Sequence, residues 1–124
     1  MEQKILGVLG ASKEKKYKFF INRIVDTLEV WGIFYYWQNA WASISHDGNE
    51  ALILFPEKEF AEYYLNTSKQ CMGVPQKINL LEFIYEWEPA LLDYGNIFLY
   101  GDDKNQNYSI EKVINDICME MNNY

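Results

Sequence analysis

The sequence has 124 residues, a net charge of −7, and is 49% hydrophobic and 17% aromatic. That length and composition describe one globular domain over residues 1–124, able to bury roughly two-thirds of its unfolded surface without disulfide staples, and exclude a disordered chain. The charge is uneven: six basic and two acidic residues give +4 through Arg23, and five basic and sixteen acidic residues give −11 from Ile24 onward.

Such an acidic body repels phosphate backbones, so no nucleic-acid partner is expected. It either attracts a basic protein or simply keeps the chain dissolved. No apolar run is long enough to cross a bilayer, and the opening residues hold Glu2 and too short an apolar stretch for a signal peptide. Cys71 and Cys118 form no framework of bridges. The expected location is therefore cytoplasmic, away from any membrane, and Asn66-Thr67-Ser68 and Asn107-Tyr108-Ser109 become chance matches to a glycosylation pattern.

Ser12 is placed to cap a helix whose apolar positions are Tyr17, Phe20, Ile21, Ile24, Val25 and Leu28. Lys13, Lys15, Lys16 and Lys18 crowd its first turns and read as a solvated face. Three strands follow, Val30 to Tyr36, Ala40 to Ser45 and Asn49 to Phe55, the last apolar enough to be central. Asp47-Gly48 is a tight-turn signal between the second and third. Pro56 suits the first position of a second helix, with Phe60, Ala61, Tyr64 and Leu65 inward. Residues 66–76 read as a loop.

Asn79, with Glu82 three residues on, resembles a capping box, and Leu80, Ile84, Trp87, Leu91 and Tyr94 share a helical stripe that Pro89 should kink. Gly95 is placed to end that helix, Asn96 to Tyr100 is a fourth strand, and a polar turn runs from Gly101 to Asn107. Ser109 caps a final helix with Ile110, Val113, Ile114, Ile117, Cys118 and Met121 inward. The expected fold is α+β, a single domain with a mainly antiparallel sheet of about four strands packed with about four helices.

Chemistry is thinly represented. His46, the single histidine, precedes a turn with no nucleophile beside it in sequence, Cys118 falls on a core stripe, and a Cys71–His46 dyad has nothing to orient it. Cysteines and histidine are too scattered for a zinc site. Asp103-Lys104-Asn105-Gln106-Asn107 begins like a calcium loop, but Tyr108 stands where glycine is needed and Ile114 where glutamate is needed. Glu82, Glu86 and Asp93 share an arc opposite the apolar stripe and read as a solvated face. The expectation is no catalytic residues, no metal and no cofactor.

Residues 30–41 concentrate the aromatics: Trp31, Phe34, Tyr35, Tyr36, Trp37 and Trp41 meet at the bend of a hairpin. Alternation assigns Trp31, Ile33 and Tyr35 to one face and Gly32, Phe34 and Tyr36 to the other. Trp37 and Trp41 flank the Gln38-Asn39-Ala40 bend, and Tyr and Trp are the residues from which interface hot spots are built. The candidate binding surface is Tyr35, Trp37, Gln38, Trp41, His46 and Asp47. The competing reading is that helices cover both faces and the rings are core.

The order of motifs resembles the bacterial domain of unknown function 2750 family. The resemblance is carried by Tyr17-Lys18-Phe19-Phe20, Glu29-Val30-Trp31-Gly32-Ile33-Phe34 and Ala40-Trp41-Ala42, then by Asp47-Gly48 and Phe55-Pro56-Glu57-Lys58-Glu59-Phe60-Ala61. It continues in Phe83-Ile84-Tyr85-Glu86-Trp87-Glu88-Pro89-Ala90-Leu91 and the helix after Ser109, nearly the whole chain in order. Ala40 and Phe55 stand where the family more often has glycine and tryptophan. The resemblance implies a small bacterial cytoplasmic domain and transfers no catalytic residue.

The leading expectation is a non-catalytic binding protein that contacts another protein through an acidic, aromatic surface, one version being an immunity protein that neutralises a basic toxin. The alternative is a small-ligand-binding or enzymatic domain with an aromatic-lined pocket near Tyr35, Trp37 and Trp41, polar groups coming from Gln38, Asn39, His46 and Asp47. Self-association through the same rings is a third.

Overall fold

The computed structural model describes residues 2–46, 49–68, 72–87, 95–101 and 106–123. The Asp47-Gly48 turn, Cys71, the Pro89 kink, Leu91, Asp93, Tyr94 and Asp103 lie outside these. In chain order the elements are α1 (Glu2–Leu9), α2 (Lys13–Thr27), β1 (Glu29–Tyr35), β2 (Ala40–Trp41), β3 (Ser43–His46) and β4 (Asn49–Leu54). Then come α3 (Lys58–Thr67), β5 (Val74–Asn79), α4 (Leu80–Tyr85), β6 (Asn96–Leu99), β7 (Asn107–Ser109) and α5 (Ile110–Met121).

The fold is α+β and mainly antiparallel. Among the described residues its strands are divided over two sheets, β2-β1-β5 and β3-β4-β6-β7, and only β4 and β6 pair in parallel. Residues 40–46 join the sheets. Ala42 N–H donates to the Ile33 carbonyl at 2.7 Å, and its own carbonyl accepts from Ile53 N–H at 3.3 Å. Ala42 thus lies between β2 and β3 and bonds to both sheets. β2 pairs with β1, and β3 with β4. A second link, the antiparallel bridge between Trp31 and Phe55, has hydrogen bonds of 3.0 and 2.8 Å.

Three caps follow side-chain chemistry. Ser12 Oγ accepts from Lys15 N–H, Ser109 Oγ from Lys112 N–H, and Asn79 Oδ1 from Leu81 N–H at 2.9 Å and Glu82 N–H at 3.2 Å. The α2 stripe buries Phe20, Ile21, Ile24 and Val25. Leu28 departs from it: it is the C-cap at φ 58°, and its side chain is exposed because the chain has already left the helix. The run Ala51 to Phe55 is at most 2% exposed, as a strand flanked by β3 and β6 and covered on both faces must be.

Several expectations are corrected. Pro56 is not the first helical residue; β4 ends at Leu54, Phe55 remains bridged to Trp31, and α3 opens at Lys58 after Glu57. Part of the expected loop 66–76 and the residues after it form β5, paired to β1 from Glu29↔Asn79 to Phe34↔Val74. The polar stretch at Asn107 forms β7, and α1 precedes Ser12. Cys118 is exposed, because the buried face of α5 runs through Ile110, Val113 and Ile117 and residue 118 lies about 100° around the helix from Ile117. Lys16 is buried rather than solvated, its Nζ lying 5.9 Å over the Tyr100 ring.

Candidate functional site

The end of the β1–β2 hairpin is a four-residue bend. Gln38 N–H donates to Tyr35 O at 3.2 Å and Asn39 N–H to Tyr36 O at 3.3 Å. Asn39 sits at φ 49°, a left-handed conformation that Asn tolerates better than most residues. The bend holds Tyr36 and Trp37 out of the core, 65% and 63% exposed, beside exposed Gln38 and Asn39. At the same end of the sheet, Met72 and Val74 are exposed as well. Val74 pairs in register with Phe34, and Gly73 lies so close to β1 that a Cβ there would fall 2.7 Å from Ile33 Cγ2.

The two faces of the tip differ. On one, an aromatic column runs inward: Tyr36 to Phe34 at 5.1 Å between ring centroids, Phe34 to Trp41 at 5.1 Å and Trp41 to Trp87 at 5.2 Å. It ends at Phe83, 5.7 Å from Trp87 and 1% exposed. The Trp41 ring lies directly over Gly32. The Tyr36 hydroxyl donates to Gln76 Oε1 at 3.1 Å. On the other face, Trp37 packs on Tyr35 at 5.2 Å. Each such ring pair contributes about 0.5–1.5 kcal/mol beyond its buried area, which fixes the tip to the core without covering it.

Of the residues singled out in the sequence, the structure brings Tyr35 and Trp37 together, with Gln38 beside them in the bend. It places half-buried Trp41 on the opposite face, where it serves the column. The His46 backbone ends β3; its side chain, and all of Asp47, lie outside the described residues. Sequence reasoning missed Met72, Val74 and Trp87 as neighbours of this tip. The register Phe34↔Val74 and the folding of α4 onto Trp41 bring them there, and no short-range signal carries either.

Acidic groups flank the column. Ser43 Oγ donates to Glu50 Oε2 at 2.5 Å, and Glu50 pairs in register with Ser45. Glu82 and Glu86 are exposed on and just after α4, next to Trp87. Among the described residues none of these three carboxylates has a cation partner. Elsewhere Glu57 bridges Lys4 at 2.8 Å and Arg23 at 3.2 Å.

A polar seam lies between α2 and α5. The Tyr17 hydroxyl donates to Asp116 Oδ2 at 2.6 Å, and Lys112 Nζ donates to the same oxygen at 3.0 Å. Tyr17 also packs on Tyr108 at 4.3 Å, and the Tyr100 hydroxyl donates to the Lys16 carbonyl at 2.7 Å. Burial first, and then the hydrogen bond to Asp116, push the Tyr17 pKa well above its ordinary value; burial does the same to Tyr100. At Asp116 partial desolvation favours the neutral acid, but the hydrogen bonds from Tyr17 and Lys112 outweigh it and lower the pKa.

Clefts lined by described residues lie among the helices. One of about 180 Å³ is lined by Leu9, Phe60, Tyr63, Tyr64, Thr67 and Tyr100, and one of about 290 Å³ by Val25, Asp26, Leu28 and Met121. Among the described residues no three His, Cys, Asp or Glu side chains group as a metal site requires, and no helix is long and apolar enough to cross a membrane.

No curated protein and no solved structure matches the chain. A family model does: residues 17–117 match the model described as Protein of unknown function (DUF2750), and the chain belongs to that family.

Proposed function

We propose that the chain is a small non-catalytic binding protein that contacts a basic protein partner through the aromatic end of the β1–β2 hairpin and its acidic surroundings. The observation that carries this reading is the exposure of Tyr36 and Trp37 at a tip anchored by an aromatic column and flanked by carboxylates that have no cation partner among the described residues. Two rings left about two-thirds exposed offer roughly 200–300 Å² of aromatic surface, approaching the largest apolar patch of a typical monomer. Held in place before contact, they lose little conformational entropy on binding.

The non-catalytic part of the reading has its own support. General acid–base catalysis uses groups whose pKa lies near the working pH. Among the described residues, Tyr17 and Tyr100 are strongly shifted, move further from neutrality and donate hydrogen bonds that fasten α2. Neutralising a basic toxin in the cytoplasm is one form such binding takes.

The test is affinity purification of the tagged chain from its native host beside a Tyr36→Ala, Trp37→Ala variant with an unchanged unfolding midpoint. Trp41 is left in place because it supports the column. A near-stoichiometric basic partner retained by the wild type and lost by the variant is expected. An equal yield of partner from both proteins rejects this surface.

A further inference from the structure

A free strand edge presents a row of backbone donors and acceptors that another strand can complete, and proteins usually blunt it. Here β5 is blunted by Pro75, which has no N–H to offer, and by Lys77. β7 is three residues long. The β2–β3 run is different. Ala42 directs its N–H and C=O inward, toward Ile33 and Ile53, so by alternation Ala40 and Ile44 do too. Trp41, Ser43 and Ser45 therefore direct their backbone groups outward. Both strands are terminal in their sheets, so among the described residues the outward side of each is an unpaired edge. Residues 40–45, Ala-Trp-Ala-Ser-Ile-Ser, contain no proline and no charge.

We infer that this edge is a docking site for an extended, basic segment of a partner protein, which binds by adding a strand alongside β2 and β3. The inference rests on the protein-binding reading above and names how and by what chemistry the partner is held. Charge selects the occupant. Glu50 shares a face with Ser43 and Ser45, and with Trp41 two residues before Ser43. A second copy paired along this edge would bring together two chains of net charge −7. A segment with Lys or Arg at alternate positions meets Glu50 instead, and lays a cationic stem against Trp41. Backbone pairing supplies the attachment, and the alternating side chains supply the selection.

The probe is a fluorescein-labelled Lys-Val-Lys-Val-Lys-Val-Lys-Val peptide, with two controls. One is the same peptide N-methylated at alternate residues, which keeps every charge and side chain and removes strand-forming donors. The other is the Glu-Val octapeptide. Binding is read by anisotropy, and amide exchange by NMR. N-methylation and Ser43→Pro, which removes an outward donor together with the hydroxyl that donates to Glu50, should each weaken binding by about tenfold or more. Glu50→Gln should weaken it by roughly threefold or more and flatten its salt dependence. The Glu-Val peptide should not bind. Amide protons of Trp41 and Ser45 should exchange quickly in the free protein and slow on binding, while those of Ala42 and Ile44 stay slow throughout. Ser45→Pro repeats the test if Ser43→Pro fails to keep its unfolding midpoint.

Equal binding of the N-methylated peptide, or no binding of Lys-Val at all, overturns the inference. So does a concentration-dependent dimer in which the Trp41 and Ser45 amides are protected without peptide. A partner captured in the host experiment that is lost with Tyr36→Ala, Trp37→Ala but kept by Ser43→Pro overturns the edge and leaves the protein-binding reading intact. A partner kept by both variants removes both.

Discussion

Gly32→Ala should lower stability, and do so only while Trp41 is present. A Cβ at residue 32 falls 2.9 Å from Trp41 Cε3 and 3.0 Å from Cζ3. Carbon atoms settle at about 3.5–4.0 Å, so the indole must retreat by ~0.5–1 Å. It is held from two sides, by Phe34 at 5.1 Å and Trp87 at 5.2 Å between centroids. Overpacking of this kind costs about 1–3 kcal/mol, while exchanging glycine for alanine within a strand returns roughly 0.5–1 kcal/mol. The net expectation is a loss of about 1–2 kcal/mol. In a Trp41→Leu background the clash is gone, and the same substitution should become neutral or stabilising by up to about 1 kcal/mol. Urea denaturation of the four proteins, with equal m values, gives the coupling directly. A Gly32→Ala cost that is the same in both backgrounds would refute the seating of Trp41 on Gly32, and with it the anchoring of the tip.

Other expectations follow from the same contacts. Gly101→Ala should cost about 2–5 kcal/mol, read as a fall in unfolding midpoint, because φ at 101 is 118° and a Cβ there meets the Tyr64 ring at 2.5 Å. Tyr17→Phe should cost about 1–3 kcal/mol at neutral pH by denaturant titration, since it removes a 2.6 Å hydrogen bond to a carboxylate. The folded pKa of Asp116 is depressed, so its contribution is present above the ordinary carboxylate pKa of about 4 and is lost as pH falls through the folded value. The Tyr17→Phe difference should therefore shrink in acid. Tyr17 itself has a raised pKa, so its contribution is complete below the ordinary phenol value of about 10 and is lost as pH rises beyond it. Cys118 should react with a thiol reagent in the folded protein at a rate close to that of the unfolded chain, since it is exposed.

Helices were legible where a side chain both capped and patterned them: Ser12, Asn79 and Ser109 each accept the backbone N–H that their position implied. The strand at Ala51 to Phe55 was legible from its unbroken apolar run. β5 was not, because Gly73, Pro75 and Lys77 are turn or surface residues in isolation, and they are tolerated here because the strand is an edge. β7 is too short and polar to carry a signal, and α1 presents one buried side chain, Ile5, so its helicity depends on tertiary packing. The division into two sheets turns on Ala42, whose N–H and C=O serve different strands, a fact set by long-range pairing.

The candidate site divides similarly. The aromatic richness of residues 30–41 was evident, and Trp37 is exposed at the tip. Which rings are structural was not evident, because Trp41 takes its role from Gly32 across the hairpin and from Trp87 on a distant element.

The most direct measurement is hydrogen exchange on the complex with the partner captured from the native host, compared residue by residue with the free chain. The account predicts new protection at 36–37 and along the outward amides of 41–45, with little change across α2 and α5. Protection confined to the Tyr17–Asp116 seam, leaving the hairpin tip and the β2–β3 edge as they are in the free chain, would contradict it.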